Sequence, residues 1–447
     1  MDNVRIHFIS LGCDKNLVDA ESMLGLLSAH GYVFTEDASE ADVIVINTCC
    51  FIHDAMEESI QTIIDMGACK ETGNCKALIV TGCLGTGYTE EMHRELPEVD
   101  AILSASAYDQ IVSVVEDVLA QKKHDAISDV NALPLPDAKR VLTTGHYAYL
   151  KIAEGCDKRC TYCAIPKMRG SYRSIPMERL VAEAQDLVKQ GARELILVAQ
   201  ETTLYGRDLY GEKSLCRLLE KLCGIEDLKW IRLLYCYPEE IDDDLIDVIA
   251  REEKICNYLD IPIQHASDRI LKRMGRRTSQ QDIRELIGKL RERIPDICLR
   301  TTLISGFPGE TDEDHAELLN FVKEMRFDRL GVFTYSRQEG TPAYDFDEQV
   351  DEKTAGSRRD EIMRLQQEIC YDKSLDLVGE KMNVLVEGRL IDEDACLART
   401  YRDAPDVDGC LFLQTDRELI SGELVPVIVT GAHEYDLIGE LADESAE

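Results

Sequence analysis

E-G-C-D-K-R-C-T-Y-C, residues 154–163, follows directly on an apolar stretch, Tyr147–Ile152, that reads as a strand. It presents Cys156, Cys160 and Cys163 at C-x3-C-x2-C spacing on one tight loop. Three thiolates held this way can bind three irons of a 4Fe–4S cube and leave the fourth iron open to a small ligand. Zinc is the rival, because thiolates suit it too. A structural zinc site takes four ligands, however, and no fourth Cys or His follows nearby.

Downstream of this loop the chain repeats strand and helix. Candidate strands are Leu195–Ala199, Ile231–Tyr235, Tyr258–Ile263, Cys298–Ile304 and Leu330–Tyr335. One helix between them is signalled by Pro176 near its start and Gly191 after its end. Others are the stretches S-Q-Q-D-I-R-E-L-I-G-K-L-R-E-R-I and T-D-E-D-H-A-E-L-L-N-F-V-K-E-M. Six β–α units suit an incomplete, TIM-like (βα)6 barrel better than a flat sheet, although periodicity alone does not decide between them. In either case ligands bind at the C-terminal ends of the strands. Gln200 and Glu201 end the second strand and Gln264 and His265 the fourth, so all four are expected to face the site. Arg300 lies inside the fifth strand, where a buried charge needs a partner. A cofactor carboxylate and a protein Asp or Glu are both candidates. That strand ends in L-I-S-G-F-P-G-E, residues 303–310, where Gly306 would let the backbone approach a ligand closely.

Upstream, residues 1–120 read as an open parallel α/β sheet. Apolar strands at Val4–Ile9, Val43–Ile46 and Ala77–Val80 alternate with helical stretches near 53–66 and 106–120. Cys13, Cys49 and Cys83 each lie just past the C-terminal end of one of these strands, where an open parallel sheet has its crevice. They form a second candidate triplet. Cys50 would point elsewhere, and Cys69 and Cys75 precede the third strand at the wrong edge. Residues 121–140, with prolines and mixed polar residues, read as a linker. The central domain would then cover 141–374. Residues 375–447 carry short alternating strands punctuated by glycines, and suggest a small five-stranded antiparallel β-barrel that binds a macromolecule.

The chain has 447 residues, of which 45% are hydrophobic and 30% charged, enough apolar material for several cores. No apolar run is long enough to span a membrane, and the opening M-D-N-V-R-I-H-F-I-S lacks the pattern of a secretory signal. A cytoplasmic protein is therefore expected, without a membrane partner. The 17 cysteines are odd in number, so ligation or simple burial is expected of them and not a disulfide framework. Net charge is −35, made up of −16 for residues 1–135, −6 for 136–374 and −13 for 375–447. Neither end has the basic footprint of a nucleic-acid binder, so nucleic-acid contact is expected only indirectly; the acidic charge reads either as simple solubility or as complementarity to a basic macromolecular partner.

The loop at 154–163 resembles that of the radical S-adenosylmethionine enzymes, C-x3-C-x-(aromatic)-C, with Tyr162 as the aromatic residue. The resemblance implies a 4Fe–4S cluster on Cys156, Cys160 and Cys163 whose open iron chelates S-adenosylmethionine, with Tyr162 near the adenine. L-I-S-G-F-P-G-E resembles the family's G-x-I-x-G-x-x-E region, with Leu303 in place of the first glycine. The three-part organisation is similar to that of the methylthiotransferases, whose C-terminal barrel is called TRAM. S-L-G-C, N-T-C and T-G-C match that family's N-terminal motifs, which implies a second 4Fe–4S cluster on Cys13, Cys49 and Cys83. One branch modifies an adenosine of transfer RNA, and another, the RimO type, modifies an aspartate of ribosomal protein S12. S-L-G-C-D-K-N-L-V-D (10–19), the string at 154–170 and R-T-Y-R-D-A-P-D-V-D-G (399–409) resemble the RimO type. After Cys83, L-G-T-G-Y departs from the polar, Arg-containing run that is common in the family. The implied chemistry is one-electron cleavage of S-adenosylmethionine, hydrogen abstraction from an unactivated carbon, and transfer of a methylated sulfur from the second cluster. An electron donor and a sulfur source are implied without being identified. The rival readings are the transfer-RNA branch with the same chemistry, a cluster-bearing scaffold without catalysis, and a zinc-binding module.

Overall fold

The structure is a computed structural model describing residues 4–391 and 394–442. Its first sheet has the order β2-β1-β3-β4-β5, all parallel: β1 (Arg5–Ser10), β2 (Val33–Phe34), β3 (Val43–Thr48), β4 (Ala77–Gly82) and β5 (Ala101–Ile102). β3 is buried along its whole length and rich in β-branched residues, which suits a strand covered on both faces. Its alternate side chains enter two cores. Val43 and Val45 pack with Met23, Leu27 and Val114, while Ile44 and Ile46 pack with Ile63 and Met92 on the other face.

The central sheet has the order β6-β9-β10-β11-β12-β13, again all parallel: β6 (Tyr147–Lys151), β9 (Glu194–Val198), β10 (Trp230–Leu233), β11 (Ile255–Asp260), β12 (Cys298–Ser305) and β13 (Arg329–Thr334). A short hairpin of β7 (Ala153–Glu154) and β8 (Arg173–Ser174) interrupts the first β–α crossover and brackets the cysteine loop. Strands in sequential order with helices between them form an open half-barrel. The helix Met177–Gln190 begins after Pro176 and stops at Gly191, where φ is +123°. Leu195, Leu197, Leu233, Leu299 and Leu303 face the helices. The opposite face carries Tyr147, Tyr149, Ile196, Trp230 and Tyr258, and is covered by Val18 of the first domain and by Leu385 and Ala404 of the last.

The last domain is a closed barrel of β14 (Lys381–Arg389), β15 (Ala395–Thr400), β16 (Leu411–Gln414), β18 (Asp436–Leu441) and β17 (Leu424–His433), in that order around the wall. The antiparallel barrel expected from the sequence needs one correction, since β16 and β18 pair in parallel. β17 lies between them in sequence and returns beside β14 to close the wall, which leaves β18 to run alongside β16.

Residues 121–140 contain no helix or strand but are packed rather than slack. Ala126 extends the edge of the first sheet through Ala126 N–H to Ile102 O (2.9 Å) and Ser104 N–H to Ala126 O (3.0 Å). Pro134 O accepts from the Tyr108 hydroxyl at 2.9 Å, and buried Arg140 donates to Tyr149 O at 2.7 Å.

Candidate metal centres

Each cysteine of the two triplets lies just past a strand, Cys83 as the first residue of the short helix Cys83–Gly87. Cys13 follows β1, Cys49 follows β3, Cys83 follows β4, and Cys156, Cys160 and Cys163 follow the β6–β7 segment. Three of the six are preceded by a glycine at positive φ: Gly12 (+91°), Gly82 (+92°) and Gly155 (+78°). The reason is close approach as well as dihedral angle. A Cβ on Gly82 would lie 2.4 Å from Thr48 O, and one on Gly155 would lie 2.1 Å from Ser171 O. These contacts draw the Cys83 loop against the strand end that carries Cys49, and draw the Cys156 loop against the β7–β8 hairpin. Gly155→Ala is therefore expected to lower iron retained at the central triplet by more than half. Gly211→Ala, at the same φ of +78° but with open space around it, is expected to leave iron unchanged. Iron quantitation after anaerobic reconstitution separates the two outcomes.

The thiols within each triplet are mutual neighbours electrostatically: Cys156 and Cys163 each feel Cys160, and Cys49 feels both Cys83 and Cys13. Cys49, Cys83, Cys156 and Cys160 are buried and Cys163 is partly buried, while Cys13 is open to solvent. Burial pushes the thiols of Cys49, Cys156 and Cys163 up to about 12. Left to themselves these sulfurs would stay protonated, and a bound cation removes that penalty by taking up the thiolate charge. Each triplet thus has the donor set and the environment of an iron–sulfur site.

The central cysteine loop is clamped at several points. Lys158 Nζ lies 2.7 Å from Glu240, 3.1 Å from Glu239 and 3.7 Å from Glu201. Arg276 stacks 4.2 Å from the Tyr237 ring, and its Nη1 is 3.9 Å from Cys160 Sγ. Beside the loop, Tyr162 packs edge-on against Phe307, which in turn meets Tyr335 and Phe346. Ile270, Met274 and Ala343 complete this apolar cluster. This is a packed apolar, aromatic cluster directly beside the cysteine loop.

The structure treats the other expected site residues unequally. Gln200 reaches the loop through Nε2 to Glu154 Oε1 at 2.9 Å, and its buried Oε1 has no protein partner. Gln264 adopts φ +71°, a left-handed conformation that costs a non-glycine residue about 1–3 kcal/mol and is concentrated at ligand sites. Its backbone is held by Thr302 O and Ile304 N–H, at 2.9 and 2.8 Å. Glu201 bonds Thr203 N–H at 2.9 Å, and burial pushes its carboxyl up to about 7. His265 is fully buried and receives Ser267 N–H at 2.9 Å.

Arg300 and Gly306 each have close partners within the protein. Arg300 sits near the start of β12, roughly 20 Å along the strand from Gly306 at about 3.3 Å per residue. Its guanidinium is taken by Asp260 at 2.8 Å and by Asp408 of the last domain at 3.4 Å. Its charge is thus met by protein carboxylates, one of the two kinds of partner the sequence allowed. Gly306, at φ +76°, is required by packing. A Cβ there would lie 2.3 Å from Ala355 Cβ, on the helix Glu352–Leu375 that crosses behind it.

Several residues at the centres escaped the sequence reading. Arg276 and the aromatic partners of Tyr162 come from distant segments, and no local pattern marks them. Asn16 and Arg169 were within quoted motif strings but carried no chemical signature of their own. Met168 links the domains directly, with its Sδ 3.3 Å from Cys50 Sγ.

Three family profiles match the chain: the radical SAM superfamily over residues 150–322, the uncharacterized protein family UPF0004 over 5–104, and the TRAM domain over 378–442. The chain is 58% identical to the ribosomal protein uS12 methylthiotransferase RimO of Lachnoclostridium phytofermentans, covering 98% of this chain and 99% of that one. It is 50% identical to the protein of the same name from Acetivibrio thermocellus, covering 99% of each. Among solved structures it is similar to the radical S-adenosylmethionine methyltransferase TsrM from Kitasatospora setae, with tryptophan and an S-adenosylmethionine analogue bound. That match has a TM-score of 0.57 at 12% identity and covers 87% of this chain and 79% of that one, a likeness of fold alone.

Proposed function

The chain belongs to the ribosomal protein uS12 methylthiotransferase RimO family, and from that premise we propose that it adds a methylthio group to the β-carbon of an aspartate in ribosomal protein S12. Membership of the radical SAM superfamily brings one 4Fe–4S cluster and S-adenosylmethionine. In this reading Cys156, Cys160 and Cys163 hold that cluster, and Cys13, Cys49 and Cys83 hold a second. The observation that carries it is the junction between the two triplets, where Met168 meets Cys50 and one buried polar network runs from Asn16 to Glu154.

When bound, these groups supply one-electron chemistry able to break an unactivated C–H bond and a sulfur to put in its place. The chain positions them. Tyr162, Phe307, Tyr335 and Phe346 pack as an apolar aromatic wall beside the cysteine loop, against which the adenine would lie. Gln200 and Glu154 fix the start of the cysteine loop, and Lys158, held by its carboxylates, fixes the middle. The Tyr- and Trp-lined inner face of the half-barrel, closed by Val18, Leu385 and Ala404, excludes water from behind the centre. The acidic last segment, net −13 over 375–447, favours a basic ribosomal protein over RNA as its partner. Among the described residues no helix is long and apolar enough to cross a membrane, and a ribosomal substrate places the activity in the cytoplasm.

A competition assay tests the substrate. Reconstituted protein is incubated anaerobically with S-adenosylmethionine, sulfide, a reductant, ribosomal protein S12 and unmodified tRNA together. Mass spectrometry is expected to find the methylthio group on an aspartate of S12. A label on tRNA adenosine would overturn the substrate while leaving the cluster chemistry in place.

A further inference from the structure

Arg169 belongs to the central domain by sequence, yet its side chain ends in the first. It is 3% exposed. Its Nη1 donates to Asp19 at 2.7 Å and to Glu154 at 3.2 Å, and its Nη2 donates to Asn16 Oδ1. Lys151 completes the cluster, pairing with Asp19 and with Glu154 at 2.8 Å. Each end of this network leads to one triplet.

On one side Asn16 touches all three loops of the N-terminal triplet. Its Nδ2 donates to Leu11 O at 3.1 Å and to Thr48 O at 2.9 Å, and its Oδ1 lies 3.9 Å from Cys83 Sγ. On the other side Glu154 Oε1 accepts from Gly155 N–H at 3.3 Å and from Gln200 at 2.9 Å, at the base of the central loop. The charges are divided the same way. Cys83, Cys13 and Cys49 lie in the field of Arg169, whereas Cys160 and Cys163 lie in that of Arg276. Each triplet therefore has its own buried guanidinium. Positive charge and hydrogen bonding around a cluster stabilise its reduced, more negative form and raise its potential.

We propose that Arg169 is a positioning residue that aligns the N-terminal triplet with the central cysteine loop through Asn16 and Glu154, and that its charge raises the reduction potential of the cluster bound at Cys13, Cys49 and Cys83. The proposal rests on the reading that this triplet holds a cluster. Lysine does not replace arginine here, because one ammonium on a flexible stem cannot grip Asn16, Asp19 and Glu154 in a fixed fork.

The test uses full-length chain with Cys156, Cys160 and Cys163 changed to alanine, so that only the N-terminal cluster remains, in EPR-monitored redox titrations. Arg169→Met is expected to shift its midpoint to lower potential. In the complementary chain with Cys13, Cys49 and Cys83 changed to alanine, Arg169→Met is expected to leave the central cluster's midpoint unmoved. An unshifted N-terminal midpoint at full iron content overturns the proposal, as does an equal shift of both clusters. Arg169→Lys in the otherwise unaltered chain decides the alignment, and stands as the test should Arg169→Met fail to load iron. The number of methylthio groups transferred per S-adenosylmethionine cleaved is expected to fall several-fold. An unchanged ratio overturns the proposal. Absence of iron from the N-terminal triplet of the chain with native Arg169 would instead overturn the cluster reading.

Discussion

Changing Cys156, Cys160 and Cys163 together to alanine is expected to abolish both cleavage of S-adenosylmethionine and methylthio transfer, and to halve iron from about eight to about four per chain, as one of two 4Fe–4S clusters is lost. Changing Cys13, Cys49 and Cys83 is expected to cost the same iron and to abolish transfer, while cleavage of S-adenosylmethionine persists. The asymmetry follows from placement. The aromatic cluster built on Tyr162, Phe307, Tyr335 and Phe346 adjoins the central loop, where S-adenosylmethionine is proposed to bind. Loss of a group that binds a cluster directly exceeds the 10–100-fold cost typical of its outer hydrogen-bond partners, so residual transfer is expected below about 1%. Iron analysis, 5′-deoxyadenosine quantitation and mass spectrometry of S12 read the three quantities separately. Full iron and full transfer in either triple variant would refute the assignment of that triplet.

The second large effect concerns stability. Glu194 on β9 is fully buried and paired at 2.7 Å with two arginines, Arg232 of β10 and Arg399 of the last domain. Burial opposes its charge, but Arg232 and then Arg399 hold its carboxyl below the usual range. Glu194→Ala removes the carboxylate shared by two buried guanidinium groups, leaving Arg232 with Tyr401 O at 2.6 Å and Arg399 with Glu387 at 2.5 Å and Asp403 O at 3.0 Å. Removing one partner of a buried pair costs about 3–5 kcal/mol, which is expected to lower the urea midpoint for unfolding and to loosen the last domain from the central one. The control is Arg251→Ala, whose pair with Glu220 is about half exposed (54% and 50%). It is expected to change stability by less than about 1 kcal/mol. Limited proteolysis between residues 375 and 381, alongside the urea curve, checks the release of the last domain.

The same interface shows where local reading stops. The position of Arg300 within a strand was legible, as was its need for a partner. The partner was not, because Asp408 arrives from a domain that begins more than seventy residues later in the sequence. Gly306 is similar. A glycine after a strand announces close approach, but only the packed helix Glu352–Leu375 identifies Ala355 as the atom that approaches. The reading of residues 121–140 as a linker caught the missing secondary structure and could not register their packing, since prolines and polar residues report backbone preference and not tertiary contact.

The sequence by itself determined the main strands of each domain and the position of six cysteines just past strand ends. Period-two and period-3.6 patterns and glycine placement are local properties of a chain, and a thiol just past a strand end in a parallel α/β unit is directed to one edge of its sheet. Tertiary structure alone decided what lies between the triplets. Arg169, Asn16, Asp19 and Glu154 are common polar residues with no distinguishing spacing, and they acquire a role only because two domains dock and bury them together. Buried charge demands compensation, and which residues supply it is settled by the docking of surfaces distant in sequence.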